Sequence, residues 1–354
     1  MSTTSIEKMR ISEEMHVAFL RRPCKTRLEY LNKMTASERI LFTELTTIKK
    51  KTDIRNIVRC PQRTTEWYRA RSGRITASIS GASVGLGSKR TPVLCQARDS
   101  IYKPFESNPM TIWGTNNESN AGFDYICDLR RSIHKTYEEQ RDFIASGSTL
   151  SGFIEFKYRG QSIPVLNKNE LPTVELFLFG FMTDPYNQWR GMSPDGVVVV
   201  NGVAIGCVEI KCPFGTPIKR GSGGGMEGDH ALYVNIPKYY YPQIQSELYL
   251  CQLIWPTVQW IDFIAWSPEH WTLETFLFDA PFFFDWYAKR EMRYYFEAYL
   301  PMLAKQARAD FVEKSKTFSK PTTAAAEKQL EESFRKFIQT EFIVPSQRNK
   351  QEGS

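Results

Sequence analysis

The stretch Met192–Pro213, MSPDGVVVVNGVAIGCVEIKCP, constrains the fold of this chain more than any other. Two runs of largely β-branched residues, Val197–Val200 and Val203–Lys211, flank Asn201-Gly202. Both turn residues tolerate the positive φ of a tight primed turn, so the stretch predicts a β-hairpin. Four consecutive valines predict a strand buried on both faces. In the second run, alternation sends Val208 and Ile210 to one face and Cys207, Glu209 and Lys211 to the other. A carboxylate and an ammonium then share one face of a strand whose other face is core.

Register decides whether Asp195 joins them. A strict two-residue loop pairs Val200 with Val203 and Asp195 with Val208, which turns Asp195 away from Glu209. The carboxylates converge only with a three-residue loop, a bulge, or Asp195 lying off the ladder. Pro194 and Gly196 disfavour a regular strand there, so an off-ladder or bulged arrangement is expected. Two converging carboxylates would suit a hard cation such as Mg²⁺, which takes one or two of them alongside waters and phosphate oxygens. A neighbouring lysine can orient or deprotonate a water and offset phosphate charge. The same Glu/Lys pair would also suit an ordinary strand surface, so the rest of the chain has to decide.

At 354 residues the chain has room for one large domain with extensions, or for two domains. Its 13% aromatic content supports a substantial core and excludes a disordered chain. A net charge of +7 mildly favours an anionic partner. Seven cysteines without paired close spacings argue against zinc or iron–sulfur centres and point to a reducing compartment. No apolar run reaches the length of a membrane span, and the N-terminus lacks the apolar core of a signal peptide. An intracellular protein of cytoplasm or nucleus, with no membrane partner, is expected.

Residues 1–55 read as a polar helical extension, in which Thr35-Ala36-Ser37-Glu38 is a capping box ahead of Ile40, Leu41, Leu45 and Ile48. Lys49, Lys50 and Lys51 then lead into a main domain over 56–304. There, Thr64 or Thr65 can cap a short helix carrying Trp67 and Arg71 on one face, with Gly73 ending it. Thr76 or Ser78 begins another helix, and arginine, hydroxyl and free helix amides together make either a phosphate pocket or an ordinary cap with a paired arginine. Thr91-Pro92 opens a further helix. Trp113-Gly114 leads into a helix through about Ile133 with Ala121, Tyr125 and Leu129 at helical spacing. This places Glu118 in the first turn, where it favours the helix dipole or points into a metal site.

Segments around 150–157 and 173–182 read as strands. Lys219–His230 is glycine-rich but lacks the strand-then-helix context of a phosphate loop, and reads as a mobile loop whose role (220–229) is open. A helix runs from about Tyr239 to Cys251, strands follow at 258–266 and 271–279, and an aromatic-rich helix covers 281–304. Residues 305–354 form a charged tail with one helix, Thr322–Phe342, and a frayed end.

Five motifs now stand in order: Gln62…Trp67…Arg71-x-Gly73-x-Ile75-Thr76-Ala77-Ser78; Gly114-x-x-Asn117-Glu118; Ser193-Pro194-Asp195-Gly196; Glu209-Ile210-Lys211-Cys212-Pro213; and Tyr240-x-x-Gln243. On these the chain resembles the YqaJ-type viral recombinase family, the lambda-exonuclease-like PD-(D/E)xK nucleases, over about Gln62 to Cys251. The resemblance implies an α/β, restriction-endonuclease-like core, a central mixed sheet flanked by helices. It implies a Mg²⁺ centre, with Mn²⁺ able to substitute, in which Asp195, Glu209, Ile210 and Glu118 hold metal and Lys211 assists the water. Arg71, Ser78, Ser193 and Gln243 would grip a terminal 5′-phosphate, with Trp67, Tyr240 and Gln245 as further candidates. The implied activity is 5′-to-3′ degradation of one strand at double-stranded DNA ends, leaving 3′ single strands for an annealing protein. The implied assembly is a homo-oligomer, a trimer by resemblance. A structure- or site-specific endonuclease and a non-cutting DNA-end-binding protein are the alternatives.

Overall fold

The hairpin around Asn201-Gly202 forms, and it forms with a bulge. The computed structural model describes residues 27–46, 61–86, 108–146, 154–165, 169–214, 235–315, 321 and 323–342. In chain order these carry α1 (Ala36–Thr46), α2 (Thr65–Arg71), β1 (Ile75–Thr76), α3 (Ala77–Ser83) and the long α4 (Pro109–Ser146). Next come β2 (Ile154–Tyr158), β3 (Gln161–Val165), β4 (Val174–Phe177), β5 (Met182–Thr183), β6 (Arg190–Met192), β7 (Gly196–Val200) and β8 (Val203–Lys211). Then follow α5 (Tyr241–Ile254), β9 (Trp260–Trp266) and β10 (Trp271–Leu277). A continuous helical run, α6, joins Pro281–Tyr287, Ala288–Tyr294, Tyr295–Tyr299 and Leu300–Lys314, and α7 (Ala324–Phe337) runs on into Ile338–Phe342.

The central sheet has the order β10-β9-β8-β7-β4. Only β8 and β9 pair in parallel, so the sheet is mixed. Residues 121, 125, 129, 133 and 137 of α4 recur every four positions, and all five are buried against Val198, Val208, Ile210 and Ile264 on one face. On the other face, Ile244, Leu248 and Cys251 of α5 pack with Val197, Cys207, Ile261 and Phe263, joined by Phe283 and Tyr287 of α6. The result is the expected α/β architecture, a mixed sheet between helical layers. The valine run meets its expectation too, with Val197 and Val198 buried on opposite faces.

A third core joins α1 to α6 and α7 through Leu41, Leu45, Tyr295, Leu303, Phe334 and Ile338, and also takes in Ile75 and Trp189. The capping box at the start of α1 is present: the Thr35 N–H donates to Glu38 Oε2 at 2.7 Å and the Glu38 N–H to Thr35 Oγ1 at 3.3 Å. Thr323 caps α7 by accepting from the Ala326 N–H. Residue 304, the expected end of the main domain, falls inside Leu300–Lys314.

Three sequence expectations need correction. Helix α4 begins at Pro109, not near Trp113, because Asn108 caps it (Thr111 N–H to Asn108 Oδ1, 3.0 Å) and proline suits the first turn. Glu118 is therefore in the helix interior, where a favourable dipole contact does not explain it. The run 173–182 is not one strand, because β4 pairs with β7 whereas β5 pairs with β6 in a separate small sheet, and the chain must leave one sheet for the other. Strand β3, unread in the sequence, closes a hairpin with β2 through Arg159-Gly160, both at positive φ. The helix at Thr91-Pro92, the lysine run at 49–51 and the glycine-rich loop lie outside the described residues.

Candidate active site

The bulge sets the register of the hairpin. Asn201 (φ +48°) and Gly202 (φ +79°) make the primed turn, and Val200 pairs with Val203 and Val199 with Ala204. Val198 then pairs with Gly206 and Gly196 with Val208, so Ile205 is the extra residue. Past it, Asp195 comes level with Glu209 on the α5 face of the sheet, as the bulged alternative requires. The Asp195 N–H donates to the Val208 carbonyl at 3.1 Å. Asp195 Oδ2 in turn accepts the Ile210 N–H at 2.7 Å. Burial, and next the charge of Glu209, push the Asp195 carboxyl well above the ordinary aspartate value, with Lys211 opposing.

Glu209 is buried near the end of β8, and its Oε1 accepts from both Lys211 Nζ and Gln243 Nε2. Burial alone would lower the Lys211 ammonium, but Glu209 and Asp195 outweigh it and hold the group well above the ordinary lysine value. Lys211 Nζ also lies 5.2 Å from the ring centroid of Tyr240, at the start of α5. Gln243 Nε2 donates to a second carboxylate as well, Glu247 Oε1, at 3.1 Å. Its amide is thus engaged by two acids, not turned outward like a free phosphate ligand. Gln245 donates to the Leu277 carbonyl and accepts the Asp279 N–H, which ties α5 to the end of β10.

Glu118 faces the group from α4, and its charge acts on both Asp195 and the Cys212 thiol. Arg63 Nη2 donates to Glu118 Oε2 at 2.6 Å. Arg63 holds a φ of +68°, an uncommon conformation for a residue with a side chain. Among the described residues, no three His, Cys, Asp or Glu side chains form a ready metal cage. Each acid instead has its own partner, Glu118 in Arg63, Glu209 in Lys211 and Gln243, and Asp195 in the Ile210 main chain.

The first motif packs beside this group. Thr64 caps α2 by accepting from the Trp67 N–H, so Trp67 and Arg71 fall on one face. Trp67 Nε1 donates to Ser193 Oγ at 2.9 Å, and the Arg71 guanidinium lies 4.1 Å from the Trp67 ring centroid and 5.9 Å from that of Phe181. Among the described residues, Arg71 has cation–π contacts but no side-chain hydrogen bond or ion pair. Burial between these rings pushes its guanidinium down to about 10. Gln62 Nε2 donates to the Phe179 carbonyl at 3.2 Å, beside the turn into Asp195. Ser78, in the first turn of α3, has its Oγ 3.2 Å from Thr76 Oγ1. Gly81 lets α3 approach the residues just ahead of α5, since a Cβ there would run into the Tyr239 carbonyl oxygen.

Residues 171–253 match the family model of the YqaJ-like viral recombinase domain. The YqaJ-like segment runs from the approach to β4 almost to the end of α5. It contains Ser193, Asp195, Glu209, Lys211 and Gln243, whereas Arg71, Ser78 and Glu118 come from outside it. Two solved structures are similar to the chain: an alkaline exonuclease (LHK-Exo) from Laribacter hongkongensis and LHK-Exo in complex with dAMP. The first has 19% identity and a TM-score of 0.40 and covers 70% of this chain and 99% of that one. The second has 18% identity and a TM-score of 0.40 and covers 71% and 99%. No curated protein matches the chain.

Three residues of this neighbourhood escaped the sequence reading. Glu247 is fully buried one helical turn beyond Gln243, and its carboxyl is pushed well up by burial and then by Glu209 and Asp195. Its signal was the i, i+4 spacing from Gln243 in a helix otherwise rich in apolar residues. Arg63 had no signal beyond its place beside Gln62. Arg190 of β6 is buried between Asp184 (3.9 Å) and Glu291 (3.4 Å), and Tyr287 Oη donates to Glu291. Among the described residues, no helix is long and apolar enough to cross a membrane.

Proposed function

We propose that the chain is a metal-dependent exonuclease. It hydrolyses one strand of linear double-stranded DNA from the 5′ end and leaves 3′ single strands for recombination or repair. The observation that carries this reading is the bulge at Ile205, which brings Asp195 level with Glu209 and beside Lys211. The YqaJ-like match over the same segment supports it.

The donor set fits a hard divalent cation. Mg²⁺ needs only one or two carboxylates, and crowded Asp195 and Glu209 lack a dedicated counter-charge beyond Lys211. Asp195, Glu209 and the Ile210 main chain would hold it, with Glu118 available once freed from Arg63. When bound, Mg²⁺ or Mn²⁺ supplies positive charge that makes a water acidic and offsets charge on the phosphate. Lys211 orients that water and offsets charge on the scissile phosphate, while Gln243 holds Glu209 in place. Arg71, stacked on Trp67, takes the terminal 5′-phosphate together with Ser193 and Ser78. Tyr240 shields the Lys211 side. The reading carries with it a ring of identical subunits, a trimer by resemblance, a single-strand annealing partner and a viral source.

End-labelled linear duplex and covalently closed circular duplex, each incubated with Mg²⁺, Mn²⁺, Ca²⁺ or excess chelator, test the proposal. Loss of the 5′ label from linear DNA in Mg²⁺ or Mn²⁺, with circles intact and Ca²⁺ inactive, is expected. Robust cleavage in chelator would sink the metal-dependent mechanism, and cutting of closed circles would replace the exonuclease by an endonuclease.

A further inference from the structure

Glu247 stands out in α5. Every residue from Pro242 to Cys251 is buried, and at position 247 the chain keeps a carboxylate where leucine or methionine would fill similar space. An uncompensated carboxylate in such a place is costly. One of its oxygens, Oε1, accepts from Gln243 Nε2 at 3.1 Å, and the other, Oε2, is buried with no hydrogen-bond partner among the described residues. No arginine or lysine pairs with Glu247 among the described residues. A buried polar group retained at this cost calls for an explanation.

Geometry supplies one. The NH₂ group of Gln243 has two hydrogens, and it faces two carboxylates, Glu209 Oε1 and Glu247 Oε1. Two acceptors on the same side fix which end of the amide points at Glu209. With Glu247 removed, Gln243 is free to turn its carbonyl towards Glu209, which would repel the carboxylate. We propose that Glu247 is a positioning residue of the nuclease site, locking the Gln243 amide so that Gln243 holds Glu209 in its working orientation. The inference rests on the nuclease reading above.

The test compares Glu247→Leu with Glu247→Gln in the full chain, on linear duplex with Mg²⁺. Glu247→Gln keeps an acceptor oxygen for Gln243, and Glu247→Leu does not. For Glu247→Leu, kcat should fall roughly ten- to a hundredfold, as expected when a partner of a metal ligand is lost, with KM for DNA little changed. Mg²⁺ affinity measured by calorimetry should weaken over a similar range, and Glu247→Gln should recover most of both. The thermal midpoint of Glu247→Leu should hold or rise, because an apolar group replaces a buried acid. Gln243→Leu combined with Glu247→Leu should be no worse than Gln243→Leu alone, since the two act through one contact. Glu247→Met takes the place of the leucine variant if leucine does not fold.

Wild-type kcat and Mg²⁺ affinity in the leucine or methionine variant overturn the proposal, as do fully additive losses in the double variant. A rate loss matched by a falling thermal midpoint, unrescued by glutamine, also overturns it in favour of a merely structural role. An inactive wild-type chain is a different result: it removes the nuclease reading itself.

Discussion

Trp67 Nε1 donates to Ser193 Oγ at 2.9 Å, which pins the first motif of the chain to the turn that leads into Asp195. The same indole carries the Arg71 guanidinium on its face. With no acid paired to it among the described residues, Arg71 has its charge to offer to an incoming anion. The paired arginine that the sequence also allowed is not seen among the described residues.

Duplex bearing a 5′-phosphate should therefore be digested faster than duplex bearing a 5′-hydroxyl. Charge-assisted hydrogen bonds of about 1.5–3 kcal/mol correspond to roughly ten- to a hundredfold in rate. Arg71→Ala should shrink that ratio and Arg71→Lys restore part of it, because an ammonium cannot fork onto two oxygens. Initial rates on the two end chemistries measure it, and an unchanged ratio in Arg71→Ala removes the pocket.

Asp195→Asn and Glu209→Gln should each abolish cleavage while the fold survives. Both side chains bond within the site and not to the apolar cores, so far-UV circular dichroism should match wild type. Either variant cutting at near wild-type rate would show that the acidic pair is misassigned.

Arg63→Ala should barely change stability. Its partner Glu118 is about a third exposed and Arg63 itself half exposed, and such pairs contribute about 0–1 kcal/mol. The variant should reach half-maximal activity at lower Mg²⁺, because Glu118 no longer has to be released. A metal titration followed by cleavage rate checks this, and a shift to higher Mg²⁺ contradicts it.

Arg190→Leu should destabilise the chain severely. It would leave Asp184 and Glu291 buried beside no cation, and breaking a buried pair costs about 3–5 kcal/mol. Urea unfolding gives the number, and a loss below about 1 kcal/mol would mean that the cluster relaxes without its arginine.

The parts of this molecule that were legible in advance are those in which local chemistry dictates the outcome. Asn201-Gly202 determines a turn, Thr35 and Thr64 determine caps, and Ala121, Tyr125 and Leu129 determine a buried helix face. A departure from the strict two-residue hairpin followed from parity, since Asp195 and Glu209 could not otherwise share a face. A three-residue loop, a bulge and an off-ladder Asp195 all met that need, and the bulge at Ile205 was not legible. The pairings across long separations were not legible. Arg190 of β6 meets Glu291 of α6 only once that helix packs beside the small sheet, and Glu247 differs from its apolar neighbours in chemistry but not in pattern. The start of α4 was legible but missed, for Asn108-Pro109 is a cap followed by a first-turn proline.

Ile205 has no reactive atom, and its side chain is one more buried aliphatic group beneath α4. The bulge leaves it out of the count of paired residues. Pairing Ile205 with Val198 in a simple ladder would set Asp195 opposite Val208 and turn Glu209 and Lys211 to the other face, whereas deleting Ile205 would leave Gly206 opposite Val198 and Asp195 still opposite Glu209. The site therefore depends on Ile205 being passed over by its partner strand and not on the isoleucine itself, and both its deletion and its exchange for valine should leave the two acids level.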